Sequence, residues 1–300
     1  MTPAVKPRLP KNLPPDWPHR DLSRVLHTGT IDWHVQVGGS GPTVLLLHGS
    51  GASAHSWADL LPALMREATV VVPDLPGHGF TTGASGPSLS LTRIAAELDT
   101  LVAALAPLGV SAPSLVVGHS AGAALALRWA LATKPAPRAL IGFNPSLVPP
   151  PAAYTALLAP LITPLATSAP MAALLARLSR GTGLVGKLLD STRSTLSPLQ
   201  RARYARLFSD PAHVRGTMGF MAAADLPALL DTGHCLPMPL TFVIGEQDEW
   251  VPQKPLRRVI ANSFPHAEVL AWPGGHLLHE AVPERAAALL LQRLARAVAG

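Results

Sequence analysis

The sequence predicts an α/β fold: a mostly parallel central sheet with helices on both faces and an inserted helical cap. Three observations carry this. Short apolar runs rich in β-branched residues alternate with helical stretches before residue 146 and again after residue 235. Between those limits no strand pattern occurs. Apolar residues make up 48% of the 300, and charged residues only 14%, so a large core is easily filled. The resulting division is a proline-rich arm over 1–22, a core over 23–145 and 236–300, and a helical cap over 146–235.

The elements follow in order. RVLH at 24–27 and the alternating IDWHVQV at 31–37 predict a β-hairpin. TVLLL at 43–47 predicts a buried strand that runs into the glycine loop HGSG. Residues 54–66 have a helical pattern. TVVVP at 69–73 is β-branched and predicts a strand, followed by the turn DLPGHG at 74–79. A helix is expected over 91–106, a strand over 114–117, an alanine- and leucine-rich helix over 121–132, and a strand over 139–143. Helical stretches at 171–180 and 198–208 fall in the cap. The strand pattern resumes at 240–244, with a helix near 254–262, a strand at 268–272 and a closing helix at 283–298. No internal repeat is visible.

Charge and composition exclude several classes. The net charge is +6, from 19 Arg and 5 Lys against 18 acidic residues, and the basic residues are scattered. A nucleic-acid stripe is therefore not expected, though a mild attraction to anionic small molecules or an anionic membrane face is. The single cysteine, Cys235, excludes an internal disulfide and fits a reducing compartment, so a cytoplasmic protein is expected. The first 18 residues hold six prolines and no apolar stretch, which is neither a signal peptide nor a membrane span. They read as a flexible arm that becomes ordered near Asp16 and Trp17. Residues 139–176 carry no charge over 38 positions, long enough to cross a bilayer, but seven prolines interrupt them. A lid of short helices with an apolar face is expected instead. It would contact the rest of the chain or touch a membrane from the side.

The chemistry centres on GHSAG at 118–122. Ser120 stands where a strand passes into a helix. Such a turn is tight, so small residues must flank the serine. It lifts the hydroxyl above the sheet edge and aims the Ala121 N–H at the same point. A serine needs a base, and this topology places it late in the chain, in the order serine, acid, histidine. His276 in PGGH at 273–276 follows the last predicted strand. His279, three residues on, is expected inside the next helix. Asp248 in GEQDEWVP at 245–252 follows the strand at 240–244 and is the expected acid, with Glu246 and Glu249 as solvated neighbours. The strand at 139–143 ends in uncharged Asn144, so the other common place for the acid is empty. The second oxyanion donor is expected to be the Ser50 N–H in the loop at 48–52. Gly49, Gly51, Trp57, His119 and Asn144 are expected to line the substrate site. His48, His55, His78 and His119 read as loop or turn residues. They show no metal-ligand spacing, and no cofactor is expected.

GTGLVGKL at 181–188 fits G-x-G-x-x-G and nearly fits a P-loop. Leu188 lacks the hydroxyl that would hold magnesium, and a helical run precedes it where a strand is needed. A glycine turn ending a helix is the reading.

In this order the HG loop, the DxxGxG turn, GHSAG, GExDxxVP and GGH resemble the α/β-hydrolase superfamily over nearly the whole chain. DWPHR at 16–20, WHVQ at 33–36, GASAHSW at 51–57, PDLPGHGFT at 73–81 and VGHSAGAA at 117–124 look more narrowly like the magnesium-chelatase accessory proteins of bacteriochlorophyll synthesis. That resemblance implies the α/β-hydrolase fold and a role near magnesium insertion into protoporphyrin IX, with chelatase subunits as partners. It supplies no reaction. Magnesium chelation uses ATP, and without an intact P-loop this chain is not the motor subunit. An uncharged cap suits a porphyrin ring, and equally any hydrophobic ester. The residues leave open a serine hydrolase, a porphyrin- or chelatase-binding protein on a hydrolase scaffold, a general esterase, a carbon–carbon hydrolase and a cofactor-free haloperoxidase. Epoxide hydrolases and haloalkane dehalogenases use an aspartate at the elbow, and Ser120 argues against them.

Overall fold

The computed structural model describes residues 8–84, 86–149, 167–180, 182–223 and 225–299. Eight strands form one sheet: β1 (Ser23–Thr28), β2 (Ile31–Gly39), β3 (Thr43–Leu47), β4 (Thr69–Pro73), β5 (Leu115–His119), β6 (Ala139–Phe143), β7 (Leu240–Gly245) and β8 (Glu268–Trp272). Their order is β1-β2-β4-β3-β5-β6-β7-β8. β1 and β2 pair antiparallel, and β2 pairs antiparallel with β4. From β4 to β8 all pairs are parallel. The turn between β1 and β2 has only Gly29, at φ 56°, and Thr30, which suits a tight hairpin.

The helices in chain order are α1 (Leu91–Leu105), α2 (Ala121–Ala132), α3 (Ala169–Ser179), α4 (Leu184–Ser191), α5 (Pro198–Phe208), α6 (Pro211–Ala222), α7 (Leu226–Thr232), α8 (Gln253–Ser263) and α9 (Pro283–Ala299). Alternation along a fully buried strand feeds two cores. Leu45 and Leu47 of β3 face one, with α1, α2 and α8. Val44 and Leu46 face the other, with α9. Leu229 of α7 also packs into the first core, so this end of the expected cap is held by the sheet's own helices.

The predicted helix over 54–66 is broken. A 3-10 turn, Ala54–Trp57, is followed by a single α turn, Leu61–Leu64. The Ser53 side chain caps the first turn, and the buried Asp74 carboxylate accepts the Ala54 N–H at 2.7 Å. This anchor fixes the segment against β4, and Pro62 enters the second turn without a donor. The arm is bound earlier than Asp16: Leu13 and Trp17 are buried against Leu207 of α5. Much of the uncharged run at 139–176 lies outside the described residues, as does Gly181. Gly183, at φ 65°, opens α4, and the helix α3 precedes it in place of a strand.

Three contacts seat the described part of the cap. His213 of α6 accepts the Gly79 N–H at Nδ1 (3.0 Å) and donates from Nε2 to the Gly51 carbonyl (3.2 Å). Gln200 of α5 donates to the Asp59 carboxylate (2.9 Å) and the Glu280 carbonyl (3.0 Å). Gly216 of α6 lies on Gly77, so closely that a Cβ at 216 would meet the Gly77 carbonyl. Gly216→Ala should therefore lift α6 from the core. We expect a loss of about 1–3 kcal/mol in urea unfolding, the usual cost of overpacking.

Candidate active site

β5 ends at His119 and α2 begins at Ala121, so one residue makes the whole turn. That residue is Ser120, at φ 52° and ψ −119°, a conformation that non-glycine residues rarely adopt. The Ser120 N–H is held by the Phe143 carbonyl at 2.9 Å. A Cβ on Gly118 would strike the backbone of Gly122 and Ala123. One on Gly122 would strike the carbonyls of Leu47 and His48. The glycines expected around the serine are thus required by neighbouring backbone.

The loops after β5, β7 and β8 converge on one point. Asp248 follows β7, and its Oδ1 accepts the N–H groups of Trp250 (2.8 Å) and Val251 (3.0 Å). Its Oδ2 accepts from Nδ1 of His276 at 2.8 Å. With Nδ1 carrying the proton, Nε2 of His276 is the acceptor for the Ser120 hydroxyl at 3.0 Å. Both the Asp248 and His276 side chains are buried, and the Trp250 ring stacks on His276 at 6.0 Å.

The backbone of His276 is held from two sides. Its N–H donates to Thr192 of the cap segment at 2.7 Å. Its carbonyl accepts from Nε2 of His119 (2.8 Å) and from Nδ2 of Asn144 (2.8 Å). Asn144 also donates to the Gly275 carbonyl (2.9 Å) and accepts the Gly245 N–H (2.6 Å). It therefore ties β6, β7 and the His276 loop together. Burial, and then the neighbouring His279, keep the His119 pKa well below its ordinary value, so the ring is a neutral donor.

Ser120 opens on an apolar cavity of about 450 Å³, within the range of small-molecule sites. Its walls include Leu175, Leu188, Phe208, Met218 and Met221 of the cap, and Trp250 and Leu277 of the core. Ser50, Gly51, His119 and Ala121 also line it. Among the described residues, the Ser50 and Ala121 N–H groups have no hydrogen-bond partner. Three expectations fail. Trp57 is fully buried in the second core beside Phe143 and His279. Asn144 is the tie just described. Gly49 is packed against His119 and Ser120, without a place on the cavity wall. The histidines expected in loops are all buried, and His119 closes β5.

A family model described as the alpha/beta hydrolase family matches residues 44–289. The chain belongs to the α/β-hydrolase family. It is 34% identical to the "Magnesium-chelatase 30 kDa subunit" of Rhodobacter capsulatus over 95% of this chain and 99% of that one. It is 31% identical to the "Pimeloyl-[acyl-carrier protein] methyl ester esterase" of Xanthomonas oryzae, over 81% of this chain and 90% of that one. Among solved structures, an α/β-hydrolase fold protein from Burkholderia ambifaria matches with a TM-score of 0.73 at 22% identity, covering 91% and 98% of the two chains. An epoxide hydrolase from Vigna radiata matches at 0.74 and 21%, covering 91% and 98%. At these identities the structures testify to the fold alone.

Sequence reasoning missed the cap's part in this site. Thr192 and Tyr204 lie in no motif, and the stacking Trp250 occupies an unspecified position of GExDxxVP, two residues after Asp248. It also missed Glu280. Burial pushes that carboxyl up to about 8, so it is neutral at pH 7 and accepts from the Tyr204 hydroxyl at 2.6 Å.

Two predictions follow from this geometry. Asn144→Ala leaves the carbonyls of Gly275 and His276 short of donors and should cost about 2–4 kcal/mol in urea unfolding. Glu280 binds its proton more tightly when folded than at its ordinary pKa of 4.5. Its stabilisation is complete below pH 4.5 and is lost as pH rises toward about 8. Glu280→Gln copies the neutral acid, so unfolding midpoints of the variant should gain on the wild type steadily from pH 5 to pH 8.

Proposed function

We propose that the protein is a serine hydrolase that cleaves a hydrophobic carboxylic ester. Ser120 is the nucleophile, His276 the general base and acid, and Asp248 the group that orients the imidazole and stabilises its charged form. The observation that carries this reading is the bonded series from Ser120 through His276 to Asp248 beside an apolar cavity. In the first step Ser120 Oγ bonds to the ester carbonyl carbon while His276 Nε2 takes the hydroxyl proton. The resulting oxyanion meets the Ser50 and Ala121 N–H groups, each worth about 3 kcal/mol in comparable sites. The carbon–oxygen bond to the alcohol then breaks, and the alcohol leaves with the proton from His276. Water, deprotonated by His276, attacks the acyl carbon, and the acid departs as His276 returns the proton to Ser120 Oγ.

The extended likeness to a chelatase subunit supports a tetrapyrrole-like ester as the substrate. On this reading the protein is an accessory factor beside magnesium insertion into protoporphyrin IX. Chelatase subunits are its partners, and the cytoplasm is its compartment. The apolar cavity suits the ring of such a substrate, and the net positive charge suits its carboxylates. The likeness to a methyl ester esterase supports the reaction type. A second reading draws on the same relative, which is named for the chelatase and not for hydrolysis. In it the scaffold binds a porphyrin or the chelatase and turns nothing over.

A fluorophosphonate probe separates them. Native protein should be labelled and Ser120→Ala should not, and hydrolysis of a p-nitrophenyl ester should fall about 10⁴-fold or more in the variant. A folded native protein that resists the probe overturns the hydrolase reading. In a bacteriochlorophyll-making strain lacking this gene, abundant Ser120→Ala should fail to restore pigment. Restoration favours the binder.

A further inference from the structure

Two cap helices wall the cavity and carry apolar side chains on their outer side as well. In α3, Ala172 and Ala176 pack against Val214 and Met218 of α6, and Leu175 faces the cavity. The opposite stripe of α3, at helical spacing, is Ala173, Leu174, Arg177 and Leu178, all exposed. Leu174 is 49% and Leu178 44% exposed. In α4, Leu184 is 48% exposed and is also on the cavity wall. The cavity therefore reaches the surface beside these leucines.

The charge on this face is mostly positive, and the acidic residue of α4, Asp190, is paired with Arg201 at 2.8 Å. Arg177, Arg180 and Lys187 are exposed, and among the described residues none forms an ion pair. The Arg180 guanidinium donates to the Ser209 carbonyl at 2.7 Å. No acidic residue occurs between Asp99 and Asp190 in the sequence. Exposed leucines among unpaired cations are the composition of a surface that lies on an anionic bilayer.

We propose that the outer face of α3 and α4 docks on an anionic lipid bilayer, with Leu174, Leu178 and Leu184 entering the headgroup boundary and Arg177 and Lys187 meeting the lipid phosphates. An apolar substrate dissolved in the bilayer then enters the cavity past Leu184 without crossing water. The docking stands apart from the hydrolase reading. Only the substrate route rests on it.

The test is co-sedimentation of the full chain with vesicles of phosphatidylcholine alone or mixed with phosphatidylglycerol. Binding to the mixed vesicles, weakened by salt, and little to phosphatidylcholine alone is expected. Arg177→Glu with Lys187→Glu should weaken binding at least about twentyfold, from the roughly 1 kcal/mol that each cation contributes. Leu174→Ser with Leu178→Ser should reduce it to background, while the circular dichroism spectrum and melting midpoint stay unchanged as a check on folding. Failure to sediment with the mixed vesicles at low salt overturns the proposal, as does binding indifferent to both pairs of substitutions. Self-association that the serine variants abolish, without vesicle binding, overturns it too and assigns the face to a second copy. The fluorophosphonate probe reports on Ser120 in every case, so failure of the hydrolase reading remains distinguishable.

Discussion

The close passage of backbone under Ser120 is the constraint on which the rest depends. One residue turns the chain from β5 into α2, and the carbonyls of Leu47 and His48 lie directly beneath Gly122. No side chain fits there. The strained conformation of Ser120 survives because its amide is held by Phe143 of the neighbouring strand and because α2 is packed on the sheet through Leu125, Leu127 and Trp129. The exposure of the hydroxyl follows from the sheet, and the aim of the Ala121 amide from the helix.

A second constraint is the anchoring of His276 through its main chain. Its side chain is bonded to Asp248, yet rotation of the whole loop would carry both atoms off line. Cap and core jointly prevent this: Thr192 takes the N–H, and His119 and Asn144 share the carbonyl. Those contacts cost little electrostatically because His119 is kept neutral by burial. Similar logic governs Glu280, four residues on, whose carbonyl accepts from Gln200 and whose carboxyl stays uncharged beside Tyr204. The cap is thus joined to the core by hydrogen bonds, one of them from Gln200 to the Asp59 carboxylate, and by close glycine contact, and its exposed ion pairs contribute little.

The sequence by itself determined the strands: β3 to β7 are short apolar runs buried on both faces, a pattern that hydropathy reports directly, and β2 alternates as a hairpin strand does. Ser120, Asp248 and His276 were legible for a related reason. Each follows a predicted strand, and in a parallel sheet the ends of strands lie on one edge, whatever the loops do. Tertiary structure alone decided the fate of residues whose role depends on neighbours distant in the chain. Trp57 had the look of a pocket aromatic, but the anchor from Asp74 to Ala54 turns it into the core. Asn144 read as a vacant acid position and became a tie, since its side chain bonds the Gly275 and His276 carbonyls and the Gly245 N–H, all more than a hundred residues away. The cavity walls come from a cap whose docking rests on Gly216 against Gly77 and on the two nitrogens of His213. Periodicity records which face of an element is apolar. It carries no record of which surface that face meets, and the cap's position is set by that meeting.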